Sequence, residues 1–467
     1  MNHFINENFL LNSDIARSLY THVENLPIID YHCHISPKEI AENRQFTNMT
    51  QLWLGGDHYK WRVMRANGIN EDAITGNVDD LVKFKMWAKT LPRCIGNPLY
   101  HWSHLELKRY FDIDDILKED SAETIYKLCN EKLSNEEFRV RNLIKKSNVE
   151  ILCTTDDPID DLHYHKMIKA DPSISFHVFP TFRPDKAINI EKDDYLSYLV
   201  ELETSSNILI NDFSSLLKAL KQRIDYFHAN GCRLSDHAFE YMIYEPYIEE
   251  DVDDIFKRRL NNSFLDEKDN RKFKTALLIK LATMIYEKDW VMQLHIGSRR
   301  NNNSSMYEKL GPDTGYDVIN NNISSQDLIR LLDSLHSQEI LPKTIVYSLN
   351  PYDNPVLTTI INSFQNDKVK MKLQHGTAWW FNDHKQGLID QLTNLANTSV
   401  LGNFIGMATD SRSFISYPRH EYFRRILCDL IGNWVVLNEY PNDMEMLKSL
   451  VADISYYNAK NYFNFDI

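Results

Sequence analysis

Short apolar runs recur along this chain, separated by longer stretches in which apolar residues return every three or four positions. The runs lie at 27–33, 149–154, 175–182, 231–236, 289–296, 343–349, 368–375 and 402–410. Each has the length and composition of a buried strand. In the intervening stretches Phe423, Ile426, Leu427, Leu430 and Ile431 share one helical face ahead of Gly432, where a glycine reads as a helix stop. Leu447, Leu450, Val451, Ile454 and Tyr457 repeat the pattern near the end. Strands alternating with helices predict an α/β fold, a (β/α)8 barrel, with a doubly wound open sheet as the alternative.

One interval breaks the rhythm. The first two runs are separated by the stretch 36–148, far longer than a simple βα connection. Helical spacing of Leu81, Phe84, Met86 and Trp87 makes it a helical insertion rather than a loop. The expected organisation is therefore a barrel from 1–35 and 149–467, with 36–148 as a helical lid inserted after strand 1.

Composition narrows the function without naming it. The chain has 467 residues, 43% of them apolar and 25% charged, and a formal net charge of -14. That charge argues against a nucleic-acid or anionic-membrane binder, so no nucleic acid and no membrane are expected as partners. Any anionic ligand must meet a local arginine. The cysteines at 33, 94, 129, 153, 232 and 428 show no paired spacing, and no stretch has the form of a signal peptide or a membrane span. A cytoplasmic protein is expected.

Barrels of this kind carry their chemistry at the C-terminal ends of the strands. The first run closes on His32 and His34, which are two residues apart and so share one strand face. Strand three runs into Arg183, strand four ends in Asp236-His237, strand five in His295, and strand eight in Asp410-Ser411-Arg412. Each of these alone is more often a hydrogen-bonded core or capping residue. Together His32, His34, His295 and Asp410 make three imidazoles and a carboxylate, a set suited to one divalent metal ion, zinc first, with manganese, cobalt or iron also compatible.

The longer motifs carry a resemblance. The stretches 29–34 (Ile-Asp-Tyr-His-Cys-His), 56–62 (Gly-Asp-His-Tyr-Lys-Trp-Arg), 234–237 (Leu-Ser-Asp-His), 293–303 (Gln-Leu-His-Ile-Gly-Ser-Arg-Arg-Asn-Asn-Asn) and 409–414 (Thr-Asp-Ser-Arg-Ser-Phe) resemble the uronate (glucuronate) isomerase family of the amidohydrolase superfamily. The resemblance implies a distorted (β/α)8 barrel of the metal-dependent hydrolase type, a zinc site and a homo-oligomer. It also implies interconversion of D-glucuronate with D-fructuronate, and of D-galacturonate with D-tagaturonate. Binuclear relatives place a carboxylated lysine on strand four, where this chain has Asp236, so a single ion is expected.

Aldose–ketose isomerisation needs a base at C2, a group that stabilises the enediolate oxygen, and return of the proton to C1. Asp410 is the candidate base, Arg412 the stabiliser of developing charge, Tyr59 a proton shuttle between the two oxygens and His58 a hydrogen-bond donor to the substrate. Arg183, then Arg299 or Arg300, are candidates to hold the hexuronate carboxylate. Asp236 and Trp379 complete the expected substrate-binding set. The alternative is a metal-dependent hydrolase or decarboxylase of the same superfamily.

Overall fold

The computed structural model describes residues 3–467. Seven of the eight runs form strands, numbered here β1 (Ile28–Asp30), β2 (Val149–Cys153), β3 (His177–Phe179), β4 (Leu234–Phe239), β5 (Val291–Ile296), β6 (Lys343–Ser348) and β7 (Leu373–His375). They pair in parallel in the orders β1-β2-β3 and β4-β5-β6-β7. Phe182 links the two groups: its N–H donates to Leu234 O at 3.1 Å, and its carbonyl accepts from Asp236 N at 3.0 Å. The result is a distorted barrel.

Three departures from the sequence pattern have physical causes. First, β4 starts three residues late and runs past Asp236-His237 to Phe239. Gly231 (φ +95°) and Cys232 still belong to the turn that ends the helix Phe213–Ala229, bonded back to His228 and Phe227. Second, the run 402–410 closes the barrel without forming a ladder strand. Side chains replace the ladder: Asp30 accepts from Thr409 N at 2.7 Å and Thr409 Oγ1 at 2.6 Å, Tyr31 Oη donates to Gly406 O, and Gln374 Nε2 donates to Asn403 O. Third, Gly432 does not stop its helix, which spans Pro418–Val436. A Cβ there would stand 2.9–3.1 Å from Ala16, so the glycine lets the N-terminal helix Asp14–Val23 pack close.

The N-terminal end of the barrel is plugged. Ile29, Tyr31, Ile151, Leu234, Val291, Ile345 and Tyr347 meet Tyr456, Tyr462 and Phe463 from the end of the chain. Helix Met444–Ala452 passes into a π turn, Asp453–Tyr457, and then into Asn458–Tyr462. The π turn adds one residue to the period, so Tyr456 is 6% exposed and Tyr457, expected on the apolar face, is 44% exposed.

The stretch between β1 and β2 holds helices that include Met49–Leu54, His58–Ala66, Asp80–Thr90 and Pro98–Phe111. Phe84 and Trp87 are fully buried there. Contacts such as Trp102 with Tyr422 and Phe46 with Phe414 pack these helices over the segment that follows Asp410. Among the described residues no helix is long and apolar enough to cross a membrane, and all six cysteines are free and buried.

Candidate active site

Beyond Asp30 the backbone of β1 continues extended between two neighbours. Cys33 N donates to Cys153 O at the end of β2, and His34 N donates to Ser411 O on the other side. This double anchoring aims His32 and His34 at one point. Their Nε2 atoms lie 3.1 and 3.0 Å from the same oxygen, Asp410 Oδ1. Asp410 Oδ2 accepts from Trp379 Nε1 at 2.6 Å. The Asp410 backbone is left-handed (φ +46°), a conformation an aspartate keeps only where its surroundings enforce it. Burial alone would raise the Asp410 carboxyl, but the hydrogen bonds and charges of His32 and His34 outweigh it and hold the group well below the usual carboxylate range.

His295, at the end of β5, stands with its ring 4.6 Å from that of His32 and stacks on Tyr347 at 4.1 Å. Its Nδ1 is 2.6 Å from Asp236 Oδ1 on β4. Asp236 Oδ2 lies 3.3 Å from an Arg183 terminal nitrogen, and Arg183 Nε donates to Asp185 at 2.8 Å. Burial opposes ionisation of Asp236, yet Arg183, His295 and His32 together hold its carboxyl far below the ordinary range. Burial lowers the His295 imidazole.

The donor set fits a small divalent ion. Two nitrogens and one oxygen converge within 3.0–3.1 Å, against about 3.3 Å between neighbouring ligands of a tetrahedral ion with bonds of ~2.0–2.1 Å. His295 Nε2 is buried and has no hydrogen-bond partner among the described residues, a donor set aside from the protein's own bonding. His32, Asp236 and His295 form a second, overlapping cluster. The nearest carboxylate holds His295 by Nδ1, an arrangement that leaves Nε2 as the free ligand atom.

The cluster lies in a cavity of about 520 Å³, lined also by His58, Tyr59, Arg183, Arg300, Trp379, Trp380, Arg412 and Arg419. His58 and Tyr59 begin the helix His58–Ala66 because Asp57 caps it, accepting from Tyr59 N and Lys60 N at 3.0 and 3.1 Å. Burial lowers the His58 imidazole and pushes the Tyr59 phenol well up, so both are neutral near pH 7. Tyr59 Oη has no hydrogen-bond partner among the described residues. Arg412 is held by Asp313 at 3.3 Å, and Arg300 donates to Asp317 at 2.8 Å while lying over Trp380.

Arg299 is the one expected site residue that the fold leaves out. It sits in a two-residue antiparallel ladder with Val318–Ile319, where Ser298 faces inward and Arg299 outward. Its side chain is 66% exposed and lies 3.8 Å from Glu240. Conversely, Arg419 lines the cavity without a sequence signal of its own, while Asp57 does so from within the motif 56–62 and Trp380 from beside Trp379. Arg419 sits in the first turn of a helix, where burial, not spacing, brings it inward.

Three comparisons converge. A profile of glucuronate isomerase matches residues 1–463. The uronate isomerase of Lachnoclostridium phytofermentans is 54% identical over 466 residues, covering all of both chains. The crystal structure of uronate isomerase from Thermotoga maritima superposes with a TM-score of 0.94 at 32% identity, over 99% of this chain and 100% of that one. Glucuronate isomerase from Caulobacter crescentus gives 0.92 at 25% identity, over 98% and 96%. With the profile spanning nearly every residue and more than half the positions shared end to end, the chain belongs to the glucuronate isomerase family.

Proposed function

We propose that this chain interconverts D-glucuronate with D-fructuronate, and D-galacturonate with D-tagaturonate, by moving a proton from C2 to C1 through an enediolate. The observation that carries this reading is the gathering of Asp410, Arg412, Tyr59 and Arg183 around one cavity in a member of this family. Asp410 takes the C2 proton as the C–H electron pair becomes the C1–C2 double bond, and returns the proton to C1. Tyr59 gives its proton to the C1 oxygen and recovers one from the C2 hydroxyl. Arg412 faces the negative charge that develops on the enediolate, and His58 donates to a substrate oxygen. Arg183 binds the substrate carboxylate; Arg300, Asp236 and Trp379 shape the remaining contacts.

His32, His34, His295 and Asp410 hold a single divalent ion in this reading, and zinc is our choice for the N/O donor set. When bound, such an ion supplies Lewis-acid charge at the base of the cavity. The stretch 36–148 acts as a lid. Six buried, free thiols support a cytoplasmic location, and the family supports a homo-oligomer. The hydrolase and decarboxylase alternatives have no comparable support among the relatives.

Incubation with D-glucuronate in D₂O, followed by NMR, tests the proposal. Ketose of unchanged carbon skeleton, with deuterium at C1 to the extent that the base exchanges with solvent, is the expected result. Absence of any ketose overturns the reading. Metal analysis is expected to find about one equivalent per chain.

A further inference from the structure

Arg419 belongs to no motif read from the sequence, yet its guanidinium reaches three separate segments that carry candidate site residues. It lies in the first turn of the helix Pro418–Val436 and is 4% exposed. One terminal nitrogen donates to Thr409 O at 3.1 Å, the carbonyl immediately before Asp410, and stands 3.9 Å from Asp383 Oδ2, in the loop that follows Trp379-Trp380. Its guanidinium carbon lies over the Trp102 ring, 4.0 Å from the ring centre, and over the Tyr59 ring at 5.6 Å. The Tyr59 ring is also parallel to Trp380 at 6.4 Å, with 3° between the planes.

Tyr59 Oη and Arg419 Nε are both buried without hydrogen-bond partners among the described residues. The phenol is therefore located by the packing of its ring rather than by a bond to its oxygen. A guanidinium is suited to this double duty: its edge binds a carbonyl and a carboxylate while its face packs against aromatic rings, in one rigid plane. Buried Lys60 pairs with Asp57, the cap that starts the Tyr59 helix, so a buried ion pair anchors the start of that helix.

We propose that Arg419 is a positioning residue that holds the Tyr59 phenol in register with Asp410 for proton transfer. The inference rests on the proton-transfer roles assigned above to Tyr59 and Asp410. An error of ~1 Å between reacting groups lowers turnover about 10²-fold, which sets the scale of the expected effect.

The experiment measures steady-state isomerisation of D-glucuronate, metal content and melting temperature for the wild type, Tyr59→Phe, Arg419→Met and the double variant. Arg419→Met is expected to lower kcat about 10²-fold with KM within about threefold, at unchanged metal stoichiometry. In the Tyr59→Phe background the same substitution is expected to add less than about threefold, because the register it maintains has already lost its purpose. Arg419→Lys, which keeps the charge and loses the flat fork, is expected to recover little. If Arg419→Met fails to fold, the lysine variant takes its place in the cycle. Multiplicative losses in the double variant, a defect confined to KM, or near-normal kcat in both arginine variants overturns the inference. A wild type that makes no ketose, or a Tyr59→Phe variant of normal rate, instead overturns the reading on which it rests.

Discussion

The two ends of the barrel are built from the same strands and have opposite characters. At the C-terminal end, His32, His34, His295, Asp236 and Asp410 crowd together with several polar atoms unpaired among the described residues. At the N-terminal end, Tyr31 stacks on Phe463 at 5.0 Å, and Phe463 on Phe465 at 5.3 Å, in an aromatic plug finished by Tyr462 Oη donating to Lys372 O. The difference separates two tasks. Unpaired donors and crowded charge are unfavourable for folding, so the polar end exists for chemistry and the apolar end supplies the burial that tolerates it.

The sharpest break in this comparison comes from the polar end. Asp410→Asn is expected to reduce kcat about 10⁴-fold, the upper end of what a positioned general base contributes, while the chain stays folded; near-normal turnover removes Asp410 from the proton chemistry. At the other end, Phe463→Ala empties a fully buried position and is expected to destabilise the chain by about 3–5 kcal/mol in denaturant titrations, with KM of the folded fraction unchanged. A strong KM effect there refutes the division of labour.

Arg183→Met is expected to raise KM for uronates about 10²-fold, corresponding to the loss of a charge-assisted hydrogen bond of roughly 1.5–3 kcal/mol, whereas Arg299→Ala, exposed and outside the cavity, is expected to change KM less than twofold. Equal effects reassign the carboxylate clamp.

The last prediction concerns the helical stretch between β1 and β2. Glu106 is buried beside Trp53, and burial pushes its carboxyl up to about 7 despite the opposing charges of Lys60 and Arg419. The folded chain then holds that proton more tightly than the unfolded chain, whose glutamates titrate near ~4.3. Stability therefore falls as pH rises from about 4.3 to about 7 and is flat above. Glu106→Gln is expected to remove that fall, about 3–4 kcal/mol across the window, from stability curves; an unaltered slope shows that Glu106 does not contribute to it.

Much of the fold was legible because burial imposes periods. Strands enclosed on both faces are continuous apolar runs, and seven of them form where the pattern put them. The eighth did not become a ladder strand, since Asp30 and Gln374 bind its backbone through side chains, which no periodicity records. Gly432 and Tyr457 misled for a similar reason: close approach to Ala16 and the π turn are facts of packing. In the site, strand-end residues were findable by position. Arg419 was not, because its partners lie 10, 36, 317 and 360 residues away, at Thr409, Asp383, Trp102 and Tyr59.

By itself the sequence determined the alternation of strands and helices, the donor types at the strand ends and the spacing that lets His32 and His34 reach one point, since all of these depend on neighbours a few residues apart. Only the tertiary structure decided that Arg299 faces solvent while Arg419 faces the cavity, that Asp236 is engaged by both His295 and Arg183, and that the C-terminal aromatics close the floor. Those outcomes depend on where distant segments meet, and a side chain's charge or hydrophobicity does not specify its partner until the chain has closed around it.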